Sequence, residues 1–188
     1  LSVVNALSSN LCIKVSRDKK TWCQSYSQGK PTSKLTDTGS TSNRRGTTIE
    51  FTPDSTIFGN NIQFSPSVLY PMARAKAYLH RGVEVRWSCD DTLLAKHPSI
   101  PQKMKLCFPN GLVDFIQTKI KDRKTILENP FSGAVKLSDG SRVEWAIAWP
   151  QDQEPFISSY CNTVPTPLGG SHEAGLRSGL LKAFKNFG

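Results

Sequence analysis

Ser159-Tyr160-Cys161-Asn162-Thr163-Val164-Pro165-Thr166-Pro167-Leu168-Gly169-Gly170-Ser171-His172-Glu173-Ala174-Gly175-Leu176-Arg177 runs from an apolar strand through a Pro/Gly turn into a helix. Gly169-Gly170-Ser171-His172 falls at the helix start. Backbone N–H groups exposed there suit an anion. The plainer reading is that the glycines permit a tight turn, Ser171 caps the helix, and His172 is a hydrogen-bonded packing residue.

Periodicity predicts a helix over 171–187 with Leu176, Leu180, Phe184 and Phe187 inward, and a strand over 156–164. Asp139-Gly140 between alternating runs at 133–137 and 142–149 predicts a hairpin. Val143, Trp145, Ile147 and Trp149 share one face of its second strand. Residues 112–120 read as a helix with Leu112, Phe115, Ile116 and Ile120 on one side, and 104–108 as a short strand. Residues 89–103, polar with Pro98 and Pro101, read as a linker between two domains.

The first half begins with a helix over 1–9. Strands at 11–16 and 21–27 flank the charged turn 17–20, which makes a hairpin. Residues 32–45 are Thr/Ser/Gly/Asn-rich and read as a surface loop. Residues 46–51 are β-branched and aromatic, hence a strand. Ser65-Pro66 opens a helix, with Ser65 as cap and Pro66 at its first position. Its apolar stripe is Val68, Met72, Ala75 and Leu79, and Gly82 ends it. Residues 83–87 form a half-buried strand. Mixed helices and strands in two blocks make the class α/β or α+β.

The net charge of +9, from 24 Lys and Arg against 15 Asp and Glu, favours polyanionic partners. Five cysteines without a CxxC pair argue against a disulfide framework; they read as small core residues in a reducing compartment. No apolar run approaches a membrane span, and the first residues lack the basic flank of a signal peptide.

No catalytic constellation stands out. Gly29-Lys30-Pro31 lacks the glycine spacing and the hydroxyl residue of a phosphate loop. Cys89, His97 and Cys107 fit no common zinc spacing. No GxSxG elbow is present.

The strand end S-Y-x-N, the turn T-x-x-G-G-[ST]-H and the helix start Gly175-Leu176-Arg177 together resemble the ATPase subunit of bacterial type II topoisomerases, the gyrase B family. Further segments are similar to that family, in its order. Residues 1–8 resemble the helix after the ATP lid. Gly46-Thr47-Thr48-Ile49-Glu50-Phe51-Thr52-Pro53-Asp54 looks like the strand G-T-x-[IV]-x-F-x-P-D. Residues 74–85 resemble the last helix and strand of the ATPase domain, and Gly111-Leu112-Val113-Asp114-Phe115 the helix opening the transducer. Pro165 and Gly175-Leu176-Arg177 lean toward the topoisomerase IV branch. The resemblance implies the C-terminal part of a GHKL-type ATPase sandwich at 1–88, followed at 89–188 by the N-terminal part of a transducer domain of ribosomal-protein-like βαβ fold.

It also implies a function: ATP-dependent DNA decatenation and relaxation in a bacterial, nucleoid-associated cytoplasmic enzyme. The implied partners are double-stranded DNA, a second copy of the same polypeptide and the DNA-cleaving topoisomerase subunit. ATP and Mg2+ belong to the intact ATPase polypeptide. Carried over, Thr47 lies on the adenine side of the pocket, Ile49 is an apolar wall, and Leu1 and Ser2 end the lid beside the phosphates. Gly169, Gly170, Ser171 and His172 form the signature turn. The general-base Glu, Mg-binding Asn and adenine-recognising Asp would precede Leu1, and the Lys that reaches the γ-phosphate would follow Gly188. Gln117-Thr118-Lys119 spells that Lys motif but falls inside a helix, a coincidence. No catalytic or metal-binding residue is therefore assigned here, and the chain alone is expected neither to bind nor to hydrolyse ATP. The alternative is a basic nucleic-acid-binding α/β module without catalytic activity, which predicts exposed aromatics on a sheet face.

Overall fold

The structure, a computed structural model, describes residues 1–42, 44–152 and 154–188. It divides into two compact units, Leu1–Phe64 and Ser65–Gly188.

In the first unit α1 (Ser2–Ala6) precedes β1 (Ser8–Arg17), β2 (Lys20–Ser27), β3 (Lys30–Pro31), β4 (Thr36–Ser40), β5 (Gly46–Pro53) and α2 (Ser55–Phe58). All pairings are antiparallel: the order is β3-β2-β1-β5, with β4 on the same edge of β2 as β3. The predicted β1–β2 hairpin is present. Its two-residue turn holds Asp18 and Lys19 at φ of 53° and 61°, the left-handed geometry that matches strand twist. The register puts Leu11, Ile13 and Val15 on one face with Thr47, Ile49 and Phe51, and Cys12 and Lys14 on the other with Glu50 and Cys23. Leu11 is completely buried.

Two expectations change here. The first helix is shorter than residues 1–9, because Ser8 already pairs with Pro53 and its hydroxyl caps the Val4 carbonyl at 2.6 Å. The predicted loop 32–45 contains β4, paired with residues 20–23. An open strand edge offers backbone hydrogen bonds to any chain that reaches it, so polar composition did not keep this segment irregular. Asn43 of that expected loop lies outside the described residues.

The second unit contains α3 (Pro66–Leu79), β6 (Val85–Ser88), α4 (Asp91–Leu94), β7 (Lys103–Leu106), α5 (Leu112–Ile120), β8 (Phe131–Lys136), β9 (Arg142–Ile147), β10 (Tyr160–Cys161), β11 (Val164–Pro165) and α6 (Ser171–Phe187). Its core is Ala77, Tyr78, Leu106 and Ile116. Tyr78 stacks on Phe108 at 3.6 Å between ring centroids and meets Phe115 edge-on at 5.3 Å. The buried side of α3 is therefore Ala77 and Tyr78, not the predicted stripe, and Val68 and Met72 are more than half exposed. Aromatic stacking against α5 and the chain before it outweighed the aliphatic period. Pro66 begins α3 as expected, but the Ser65 hydroxyl bonds Ser67 instead of capping the helix, and His80 is the C-terminal cap, two residues before Gly82.

β6 and β7 pair across residues 89–103, which also carry α4, so this segment is an internal connection of the second unit. The hairpin at Asp139-Gly140 forms as expected, with Asp139 Oδ1 accepting from the Ser141 N–H and hydroxyl. Gly133 faces Trp145 across it. A Cβ at residue 133 would lie 2.4 Å from the indole Cζ2, so the ring packs directly on the glycine backbone. Trp145 and Trp149 are half-buried, with Phe131 and Phe184 around them.

Two further expectations fail. The strand predicted over 156–164 is instead the small β10–β11 hairpin, because Asn162 and Thr163 take φ of 48° and 65°. On α6, Leu176 and Leu180 are half-buried, but Phe184 and Phe187 are exposed, the latter 96%. The amphipathic period indicates which face wants burial; it does not supply a covering element.

Candidate functional site

β5 positions the first group. Residues two apart share a strand face, so Thr47, Ile49 and Phe51 look the same way. Ile49 is 41% and Phe51 43% exposed. Phe64 meets Phe51 edge-on at 5.8 Å. This apolar surface continues into a cavity of about 240 Å³ lined by Val4, Leu7, Phe51, Phe58, Ile62 and Phe64. Leu1 and Ser2 are exposed at the start of the five-residue α1. Along the β1 ladder, Ser8 pairs with Pro53 and Val15 with Thr47. Seven steps of strand separate those positions, roughly 23 Å. Thr47 and Ile49 are thus together, while α1 adjoins the other end of β1.

The end of this motif strand has a structural role that its sequence does not announce. Asp54 is 2% exposed. It caps α2 by accepting from the Thr56 N–H at 2.9 Å and hydroxyl at 2.8 Å, and its other oxygen accepts from Gln28 Nε2 at 2.5 Å. Those hydrogen bonds, Gln28 first, hold its carboxyl below the usual range.

The glycine turn is the second group. Gly169 has φ of 76°, and a Cβ there would sit 3.3 Å from Glu173 Oε2. Gly170, not Ser171, is the N-cap of α6, and no side chain caps it. Ser171 is already helical, which corrects the expected cap. Glu173 does the electrostatic work instead: it lies in the first turn, where a carboxylate complements the helix dipole. It accepts from the Ser159 hydroxyl at 3.0 Å and from Arg177 Nε at 3.1 Å. Ser159 also bonds Thr166 Oγ1 at 2.8 Å, and that oxygen lies 3.3 Å from His172 Nε2. Ser159, Thr166 and Glu173 line a cavity of about 210 Å³. With a carboxylate already at this helix terminus, the arrangement is a structural clasp rather than an anion cradle. Sequence reading found Gly169, Gly170 and His172 but missed Ser159, Thr166 and Glu173, whose spacing has no local signature.

Many basic side chains are engaged internally. Lys76 Nζ donates to the Thr163 carbonyl at 2.9 Å and to its hydroxyl, Arg81 Nε to the Pro109 carbonyl, and Arg123 pairs with Asp152. Gln117-Thr118-Lys119 is inside α5. None of the five cysteines is buried, contrary to the expected core role: Cys12, Cys23 and Cys89 are half-buried, Cys107 and Cys161 exposed. No helix of the described residues is long and apolar enough to cross a membrane.

A sheet carrying G-T-x-I-x-F-x-P-D and a glycine clasp opening a long helix is the arrangement of gyrase B-type ATPases. Residues 111–188 match the DNA gyrase B family. The chain superimposes on the 43K ATPase domain of Thermus thermophilus gyrase B, solved with an aminocoumarin, with TM-score 0.81 at 28% identity over 94% of this chain and 46% of that one. The topoisomerase IV ATP-binding domain of Francisella tularensis, solved with a small-molecule inhibitor, gives 0.77 at 26% identity over 99% of this chain and 48% of that one. The chain is a relative of the B subunits of bacterial type II topoisomerases, with the mixed α/β fold of their GHKL-type ATPase domains.

Within that class its curated relatives carry the topoisomerase IV name. The B subunit of DNA topoisomerase 4 from Bartonella bacilliformis is 45% identical over all of this chain, which covers 27% of that protein. The chain thus spans about a quarter of the length of the curated relatives it matches.

Proposed function

We propose that this chain is the part of a topoisomerase IV B subunit that carries one wall of the ATP site and the beginning of the transducer. In this reading residues 1–88 close the ATPase domain and 89–188 open the transducer, a functional division distinct from the break in compactness at Phe64. Thr47 offers a hydroxyl and Ile49 an apolar surface on one open sheet face, which suits the edge and plane of a purine. Leu1 and Ser2 end the lid over the phosphates. ATP supplies the binding energy for closure, and this chain's residues bind and orient it. Magnesium is held by the remainder of the whole polypeptide; among the described residues no three His, Cys, Asp or Glu side chains come together. The Gly169–Glu173 clasp fixes the angle at which α6 leaves the domain, so that movement at the nucleotide is passed on as movement of a rigid helix. The whole protein acts on double-stranded DNA in the bacterial cytoplasm, paired with a second copy and with the DNA-cleaving subunit.

The observation that carries this reading is the exposed Thr47–Ile49 face within a fold shared with gyrase B ATPase domains. The alternative, a nucleic-acid module with an exposed aromatic sheet face, has little support, because Trp145 and Trp149 are half-buried. The test is phosphate release. The 188-residue chain alone is expected to release none from ATP, and the complete protein with its cleaving partner to decatenate DNA only with ATP. In that complete enzyme Thr47→Trp, which fills the proposed purine edge, raises the KM for ATP at least tenfold. An unchanged KM, or multiple turnovers by the chain alone, overturns the proposal.

A further inference from the structure

Cys12 and Cys23 are on adjacent strands of the first sheet. The β1–β2 register sets Cys12 opposite Ser25 and Lys14 opposite Cys23, so the two cysteines are diagonal neighbours on one face. Their sulfurs are 3.3 Å apart and hydrogen-bonded, and both residues are half-buried, within reach of a small reagent. Neither belongs to the nucleotide face: Thr47 and Ile49 look to the opposite side of the sheet. The hydrogen bond with Cys12 pushes the Cys23 thiol up.

We infer that Cys12 and Cys23 form a thiol modification site, a dithiol that low-molecular-weight disulfides oxidise reversibly to a cross-strand disulfide. The chemistry balances in two exchanges. One cysteine thiolate attacks a sulfur of the reagent R–S–S–R, its S–S bond breaks, and one R–S⁻ leaves as a mixed disulfide forms. The second cysteine, deprotonated, attacks the protein sulfur of that mixed disulfide, and the second R–S⁻ leaves. The two cysteines lose two protons and two electrons, and the reagent becomes two thiols. A separation of 3.3 Å is already that of reacting atoms in a near-attack arrangement, so the second exchange is effectively intramolecular and outruns any competing small thiol. A disulfide is about 2.04 Å long. Closing the remaining distance shears β1 slightly against β2, and a bond made under such strain is readily reduced. The site is therefore reversible rather than a structural staple, and β1, which also carries β5 on its other edge, is the strand it constrains.

The experiment is peptide mapping of the full chain after treatment with oxidised glutathione, quenched in acid. Trypsin cuts between the two cysteines at Lys14, Arg17, Lys19 and Lys20, so a bridge appears as a linked pair of peptides. The expected result is the Cys12–Cys23 linked pair, reversed by dithiothreitol. In the single variants Cys12→Ser and Cys23→Ser the glutathione adduct persists on the remaining cysteine, at least about tenfold more abundant than at either position of the unaltered chain. Glutathione adducts on both cysteines of the unaltered chain, bridges to Cys89, Cys107 or Cys161, or no reaction at this pair would each overturn the inference. The map of the unaltered chain decides the matter even if a variant fails to fold.

Discussion

Gln28 Nε2 donates to Asp54 Oδ2 at 2.5 Å, tying the end of β2 to the end of β5 across the strand between them. Because Asp54 also caps α2, one carboxylate holds three elements together. Asp54→Ala removes all of these bonds and leaves the Gln28 amide without its partner. The expected outcome is a thermal midpoint lower by several degrees, with Gln28→Ala giving a smaller fall, and the two effects less than additive in the double variant. Strict additivity measured by calorimetry would refute the coupling.

Acid should unfold this chain in a defined window. Hydrogen bonds or cationic partners lower the carboxyls of Asp37, Asp54, Glu84, Asp90, Asp139 and Asp152. A depressed folded value means the unfolded chain binds the proton more readily. The stabilisation is complete above the unfolded values near about pH 4 and fades as pH falls through the lower folded ones. Urea midpoints should be level from neutrality to about pH 5 and then drop steeply. A midpoint that rises on acidification would contradict the assigned partners.

Tyr78 is the centre of the second unit's core, stacked on Phe108 and edge-on to Phe115. Tyr78→Ala should cost about 3–5 kcal/mol in chemical denaturation. Tyr78→Phe keeps the rings and loses only hydroxyl contacts to Arg74 and Thr118 at 3.3 Å, a cost of about 1 kcal/mol. Equal costs for the two variants would show that the hydroxyl, not the stack, matters.

Gly169→Ala places a β-carbon on a left-handed backbone beside Glu173. The expected penalty is about 1–2 kcal/mol. Amide exchange should quicken at the start of α6 before it does elsewhere. Uniform quickening throughout the second unit would argue against a local clasp.

Lys76 compensates a strained hairpin. Thr163 is β-branched, yet it takes φ of 65°, and Lys76 binds both its carbonyl and its hydroxyl. Lys76→Met should loosen this turn, seen as faster exchange at the Thr166 amide, which donates to Ser159. Unaltered exchange there would remove Lys76 from that role.

Residues with a local meaning were legible as sequence. The β1–β2 alternation, Pro66 at the head of α3, Asp139-Gly140 between two strands and the glycine pair before α6 each act through neighbours a few residues away, so their spelling determined the elements and, through the family motifs, the class of protein. The tertiary structure decided what depends on distant partners. Polar residues 36–40 became a strand because β2 had a free edge, and Thr163 turned the chain because Lys76, 87 residues earlier, was there to hold it. Tyr78 displaced Val68 and Met72 from the core because Phe108 and Phe115 came to meet it. Glu173 replaced Ser171 at the helix terminus because Ser159 and Arg177 fixed its carboxylate. Local backbone preferences are written in short spans of sequence, whereas burial, edge pairing and hydrogen-bond partnership exist only once the chain has brought remote residues together.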